Sequence, residues 1–328
     1  MTRALVLGAT GHIGAHVVRA LCSAGISVRA FYRSPVARFV LDGLDVEMVQ
    51  GALDDQSRLR QAMAGCDWLF HCAGAYPSLT EDRHSAIARG LASARQVFEL
   101  AKATRVQRIV FTSSASTVRR FPDRLSTEGD FDWPVAKRRS LYAEVKALME
   151  HEALRFAQEG LPVVIVNPSL CIGEYDTKPL SGLLTILVAK RKLPAYIEYC
   201  LNAVYTGDVG TGHLRAAQQG RIGERYLLGH RNITFSALVQ LIASQAGVRP
   251  PRLRVAYPVA FAVATISEFA ARLVGKPPLI PRMAVAMVRE RGQGLDCSKA
   301  IQELGMPQTP LEEAIRRSLA WFRQHGYL

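Results

Sequence analysis

Acidic residues are scarce in this chain. Only 28 Asp and Glu stand against 41 Lys and Arg, a formal net charge of +13, and no carboxylate precedes Asp42. A surface of that sign attracts anions, whether phosphorylated small molecules, acidic membrane surfaces or nucleic acid. The cations are scattered, with short clusters at Arg119-Arg120, Lys137-Arg138-Arg139 and Lys190-Arg191-Lys192, and no aromatic residues interleave a long basic stripe. That argues against nucleic acid as a partner. Six cysteines (Cys22, Cys66, Cys72, Cys171, Cys200, Cys297) form no C-x-x-C pair, and no secretory signal precedes the first apolar run. Reduced thiols and a cytoplasmic location are the expectation. Repeats and low-complexity tracts are also missing. The 13 residues 255–267 carry no charge, with Pro258 near their start. They are too few to span a bilayer and suit a buried or interfacial helix. A core or lid helix is the plain reading and a membrane-facing one the alternative. His12 and His16 lie four apart without a third ligand nearby, so no metal is expected and surface or phosphate-side histidines are.

What the chain does have is an apolar run that breaks on glycines. Leu5-Val-Leu-Gly8-Ala-Thr-Gly11-His-Ile-Gly14 reads as a strand over residues 3–7, a turn, and a helix whose Ile13, Val17, Val18 and Leu21 recur at helical spacing. Free backbone N–H groups at such a helix start point where a pyrophosphate can sit. Gly8 allows the tight turn, Gly11 the close approach of phosphates, and Gly14 the packing of helix on strand. The spacing is G-x-x-G-x-x-G rather than the commoner G-x-G-x-x-G.

Strand and helix signals then alternate, as in a parallel sheet covered on both faces. Further strands are expected over residues 27–32, 45–49, 68–72, 108–112 and 161–168, with helices over 57–63, 85–104 and 140–159. Beyond Pro168 the pattern loosens to a helix over 182–192, an extended run over 196–205, a helix over 209–218 and a late strand over 226–229. The expected fold is α/β, a doubly wound parallel Rossmann sheet over residues 1–168 with returning segments near 200–230. Residues 169–328 mostly form a smaller, largely helical substrate lobe. A carboxylate after the second strand would grip the adenosine ribose and favour NAD; none is present. Arg29, Arg33 and Arg38 bracket that place instead, with Ser34 beside Arg33. A guanidinium there suits the 2′-phosphate of NADP(H), although arginines simply facing water remain the alternative. NADP(H) is favoured, NAD(H) second. Small residues at Ala73-Gly74-Ala75 let backbone approach a bound cofactor.

Thr112-Ser113-Ser114 end the fifth strand, where doubly wound sheets bind ligands. Tyr142 and Lys146 share one helix face, one turn apart. A phenol titrates near 10, too high for proton exchange at neutral pH, and a neighbouring ammonium lowers it. Tyr142 thereby becomes a general acid for reducing a ketone, or base for oxidising an alcohol. Lys146 would also reach the nicotinamide ribose hydroxyls, and Ser114 would hydrogen-bond the substrate oxygen as charge develops.

With the glycine turn, Val110-Phe-Thr-Ser-Ser114, Tyr142-x-x-x-Lys146 and Leu161-Pro-Val-Val-Ile-Val-Asn167-Pro168-Ser169 in view, the chain resembles an extended short-chain dehydrogenase/reductase. That group includes dihydroflavonol reductases, hydroxysteroid dehydrogenases and nucleotide-sugar epimerases. The likeness is strongest to bacterial dihydroflavonol-reductase-like, hopanoid-associated sugar epimerase proteins and runs nearly the whole length. It implies a catalytic trio of Ser114, Tyr142 and Lys146. It further implies cofactor contacts from Gly8, Thr10, Gly11, His12, Ile13 and Gly14, from Arg33 and Ser34, and from Leu53, Ala73 and Gly74. Tyr142, Lys146, Asn167, Pro168 and Ser169 complete that set. Three positions depart from the family pattern: Gly51-Ala52-Leu53-Asp54-Asp55 lacks the adenine-binding Asp, Gly90-Leu-Ala-Ser93-Ala94 replaces Asn-Val-x-Gly-Thr, and Gly207-Asp208 replaces a paired Asp. The resulting expectation is an NAD(P)H-dependent reductase of an apolar ketone, or dehydrogenase of the matching alcohol, with Tyr142 as proton donor. Residues 255–267, with Tyr257, Phe261 and Phe269, would help cover the substrate and allow transient contact with a membrane surface. A nucleotide-sugar epimerase or dehydratase with retained NAD and a non-catalytic NADP(H)-binding regulator are the alternatives. A homodimer follows from the resemblance alone.

Overall fold

The computed structural model describes residues 2–74, 77, 81–133, 140–274, 285 and 292–328. Ala75 and the cluster Lys137-Arg138-Arg139 fall outside them. The first half of the chain runs β1 (Arg3–Leu7), α1 (His12–Ser23), β2 (Ser27–Tyr32), β3 (Glu47–Gln50), α2 (Gln56–Met63), β4 (Trp68–His71), α3 (Arg83–Ala103), β5 (Arg108–Thr112), α4 (Leu141–Gln158) and β6 (Val163–Pro168). There follow β7 (Leu170–Ile172), α5 (Leu183–Ala189), β8 (Ala195–Tyr196), β9 (Cys200–Tyr205), α6 (Thr206–Gln219) and β10 (Arg225–Leu228). Then come β11 (Arg231–Thr234), α7 (Phe235–Ala246), β12 (Leu253–Arg254) and α8 (Tyr257–Val274), with helices Ser298–Leu304 and Leu311–Gln324 last.

Seven strands form one parallel sheet in the order β10-β6-β5-β4-β1-β2-β3. Alternation along each strand sorts its side chains between two apolar layers. Ala4 and Val6 pack with α1 and α6, whereas Leu5 and Leu7 face α2, α3 and α4. Burying one Val or Leu side chain fully contributes about 1.5–3 kcal/mol, so both layers fix the sheet's register. Where α1 crosses α6, a Cβ on Gly210 would stand 2.6 Å from the His16 carbonyl oxygen; the glycine permits the approach.

As expected, β6 ends at Pro168, which pairs with Leu228 of β10. After β6 the chain leaves the sheet to build a three-stranded one, β11-β9-β7, against α5, α7 and Leu311–Gln324. It returns to the main sheet through α6 and β10. The extended run expected over 196–205 is two strands. Tyr196 pairs with Arg254, and Cys200–Tyr205 enters the small sheet. The largest departure is α8. Its Val259, Val263, Ile266 and Phe269 are exposed, and only Ala264 and Ala271 are buried among its described side chains. The core-helix reading fails because an uncharged run identifies a helix's composition, not which face meets other elements. Among the described residues no helix is long and apolar enough to cross a membrane.

Candidate active site

The first strand–helix turn is shaped by two contacts that only glycine allows. Gly8 has φ +78°, and a Cβ there would lie 2.9 Å from the backbone of Ala73 at the end of β4. A Cβ on Gly14 would lie 2.1 Å from the Gly8 carbonyl oxygen, so α1 starts pressed onto the turn itself. Gly11 caps α1 without any side-chain hydrogen bond, which leaves the helix start to an external acceptor. Thr10, His12 and Ile13 line the same turn, half-buried. His12 is committed elsewhere by its ring: Nε2 meets the Thr206 hydroxyl at 2.9 Å, and burial lowers its pKa. It can serve an anion only through its backbone. His16 is not a surface histidine. It is buried beside the Glu174 carbonyl, edge-on to Tyr175 and Tyr205, and burial holds its pKa well below the usual value.

The three arginines near β2 separate in role. Arg29 donates to the carbonyls of Ala62 and Ala64 and pairs with Glu47 at 2.8 Å, so it fastens β2 to its neighbours and is not a cofactor residue. Arg33 and Arg38 are exposed, and Ser34 is half-buried at the start of the turn Pro35–Leu41. Leu53, half-buried, accepts from Gln96 through its carbonyl.

At the end of β5 the three hydroxyls also part company. Thr112 Oγ1 is buried against His213 Nε2 at 2.8 Å. Ser113 donates to Glu150 at 2.5 Å. Ser114 alone is half-exposed, and its Oγ accepts from both the backbone N–H and the hydroxyl of Ser116. Two donors occupy its lone pairs, which leaves its own proton to donate elsewhere.

Ser140 caps α4 by accepting from the Ala143 N–H. Tyr142 is half-buried in the first turn, and Lys146 is buried one turn on. The Lys146 ammonium donates to the Thr112 carbonyl at 3.0 Å, and burial pulls its pKa down to about 8 despite the pull of Glu150 the other way. One turn further, Glu150 is fully buried. It accepts from Ser113, Thr117 and Asn167 and pairs with Arg225 Nε at 3.0 Å. Burial raises its pKa, against Arg225 and those three donors. This single carboxylate ties α4 to the ends of β5 and β6 and to β10. Sequence reasoning passed over Glu150, although its place four residues after Lys146 put it on the same helix face.

The strand-end residues of β6 divide as well. Asn167 turns inward, donating to the Ser114 carbonyl, the Thr117 hydroxyl and Glu150. Through its amide nitrogen it props the Ser114 turn, while its Oδ1 is buried with no protein partner. Ser169 Oγ is buried with no protein partner, a polar atom awaiting an acceptor or donor. The uncapped helix start, the glycine cradle and this orphaned hydroxyl together fit a bound dinucleotide. Two departures from the family pattern also find a physical setting. A Cβ on Gly90 would lie 2.7 Å from Val145 Cγ1, so α3 crosses α4 there without room for a side chain. Asp208 accepts from the Thr309 N–H and hydroxyl, which anchors the C-terminal segment. Among the described residues no group of three His, Cys, Asp or Glu side chains is placed to hold a metal ion.

Comparison with known proteins agrees with this geometry. The model of the NAD dependent epimerase/dehydratase family matches residues 4–229. A putative dihydroflavonol 4-reductase of Synechocystis sp. is 34% identical over 98% of this chain and 95% of its own. Sterol demethylase protein B of Methylococcus capsulatus is 32% identical over 99% of both chains. Among solved structures, one described as a nucleoside-diphosphate-sugar epimerase from Pseudomonas aeruginosa superposes with a TM-score of 0.85 at 29% identity, covering 100% of this chain and 99% of that one. The chain belongs to the NAD dependent epimerase/dehydratase family, and with it to the NAD(P)-dependent enzymes that act on alcohol and ketone groups.

Proposed function

We propose that the protein reduces a ketone on an apolar, ring-bearing small molecule, or oxidises the matching secondary alcohol, with NADP(H) favoured over NAD(H). The observation that carries this reading is the division of hydroxyls at the end of β5. Thr112 and Ser113 are consumed in buried contacts, while the half-exposed Ser114 accepts from Ser116 and keeps its own hydroxyl proton for another acceptor. In this reading Ser114 donates to the substrate oxygen as charge grows there. Tyr142 delivers the proton, and the Lys146 ammonium favours the phenolate left behind. A bound nicotinamide supplies the hydride. Backbone N–H groups of His12 to Gly14 receive the pyrophosphate, with Gly8, Thr10 and Gly11 shaping the turn, where the Gly11 N–H donates to the Gly8 carbonyl. Leu53, Ala73 and Gly74 border the nucleotide, and Pro168 and Ser169 border the nicotinamide.

The exposed Arg33 beyond β2, with no carboxylate in the first 41 residues, supports NADP(H). The likeness to a reductase and to a sterol demethylase protein supports an apolar ring system. Replacing Arg33→Asp should lower the preference for NADPH over NADH about tenfold or more, the scale of one charge-assisted contact. An unchanged ratio would remove Arg33 from the cofactor site. A second reading, epimerisation of a nucleotide sugar on retained NAD, is supported by the likeness to the Pseudomonas protein. The absorbance of purified protein before and after denaturation separates the two. Stoichiometric release of NAD favours the epimerase, whereas nucleotide-free protein that oxidises NADPH against a ketone panel favours the reductase.

A further inference from the structure

The apolar side of α8 is bare. Val259, Val263 and Ile266 follow one another at intervals of four and three, with Phe269 one step on, and are 52%, 47%, 68% and 65% exposed. At 100° per residue they fall on one stripe, and the buried Ala264 and Ala271 lie on another face. No charged side chain interrupts that stripe, and Thr265, beside it, spends its hydroxyl on the Phe261 carbonyl. Single exposed apolar residues are ordinary, but a contiguous stripe marks a contact surface.

Cations border the same helix. The ribbon β8–β12 pairs Leu253 with Ala195 and Arg254 with Tyr196, joining two chain segments just ahead of α8. Lys190, Arg191, Lys192, Arg249, Arg252 and Arg254 are all exposed on these segments, and no Asp or Glu occurs in residues 186–197 or 245–267. Arg191, Arg249 and Arg252 line a cleft of about 340 Å³ whose floor includes Val188 and Leu193. Cations ahead of a helix N-terminus oppose its dipole, so α8's own stability does not account for them.

We infer that α8 and the bordering cations dock the protein on an anionic phospholipid surface, with the apolar stripe lying in the interfacial layer and the arginines on lipid phosphates. An apolar helix stripe flanked by cations is the pattern of interfacial helices, and each Lys or Arg near an anionic leaflet adds attraction that salt weakens. The docking does not depend on the catalytic assignment.

The test is co-sedimentation of the full-length protein with vesicles of phosphatidylcholine alone and of phosphatidylcholine mixed with phosphatidylglycerol. Binding is expected to the mixed vesicles and to fall with added salt. Replacing Arg249→Glu together with Arg252→Glu should weaken it about tenfold or more. Replacing Ile266→Asp together with Phe269→Asp should abolish it, with melting temperature near that of the wild type because both side chains are exposed. No binding to mixed vesicles at low salt overturns the inference. So does binding that ignores both double variants. It is also overturned if the protein is a dimer that Ile266→Asp with Phe269→Asp splits while vesicles stay unbound, since a second copy then covers the stripe. Binding of a soluble nucleoside diphosphate in the arginine cleft without vesicle binding has the same consequence.

Discussion

Lys146 is the buried cation at the end of β5. Its pKa of about 8 lies well under the ordinary 10.5 because burial penalises the ammonium. The proposed mechanism needs that ammonium, so activity is present below pH 8 and declines as the proton leaves. The pH profile of kcat/KM reports the free enzyme. It should therefore fall through about pH 8 for ketone reduction, by about tenfold per unit beyond it. A profile flat to pH 10 would detach Lys146 from the rate. The four-residue spacing of Tyr142 and Lys146 on one helix and the strand-end place of Ser114 were legible in the sequence; their catalytic roles are the proposal that this profile tests. Glu150 was not legible, since an acid on an amphipathic helix reads as solvent-facing until Ser113, Thr117, Asn167 and Arg225 are seen to surround it. Arg29 misled for the opposite reason: its position after the glycine turn suggested a phosphate, while its guanidinium serves two carbonyls and Glu47.

At the scale of elements, the crossing of α3 and α4 fixes the helix on which Tyr142 and Lys146 stand. Gly90 and Val145 fill that crossing together, with only 2.7 Å between Val145 Cγ1 and a Cβ at Gly90. Restoring the family's side chain by Gly90→Asn should therefore destabilise the protein by about 1–3 kcal/mol through overpacking. Adding Val145→Ala should recover part of that loss, because residues in contact are not additive. Urea unfolding of the two single variants and the double variant measures it; additive losses would show that the crossing is not tight. Strands of the main sheet were legible to within a residue or two, since burial on both faces makes continuous apolar runs that glycines punctuate. Of the small sheet only β9 was legible, inside the extended run expected over 196–205. The sheet's strands are short and carry paired polar residues, Asn202 bonded to Asn232, and their partners lie far apart in the chain.

Across the whole molecule, burial also sets the response to acid. His71 and His213 are fully buried, with pKa values lowered to about 3 and about 4, and His16 is lowered as well. Between pH 6.5 and 4 the unfolded chain therefore binds more protons than the folded one, and stability drops as pH falls. Each such histidine costs about 1.4 kcal/mol per unit over that window. Glu128 and Glu150 act in the other direction, since burial raises their folded pKa values and their contribution is lost as pH rises. Thermal unfolding should thus show a melting temperature that declines from pH 6.5 to 4, less steeply in His213→Gln. Equal slopes would mean that His213 titrates freely. The parallel sheet and its chemistry were readable at this scale from strand–helix alternation, but the exposure of α8 was not, because composition is silent on which faces find partners.

The central claim is that a phenol in the first turn of α4 hands over the proton that accompanies hydride transfer. Steady-state NADPH oxidation by wild type and Tyr142→Phe against a panel of steroid-like, polyketide and quinone-like ketones tests it directly, with NADPH affinity followed by fluorescence. The account predicts a turnover lower by about 10²–10⁴ in the variant at unchanged NADPH affinity. A variant that turns over near the wild-type rate would contradict it.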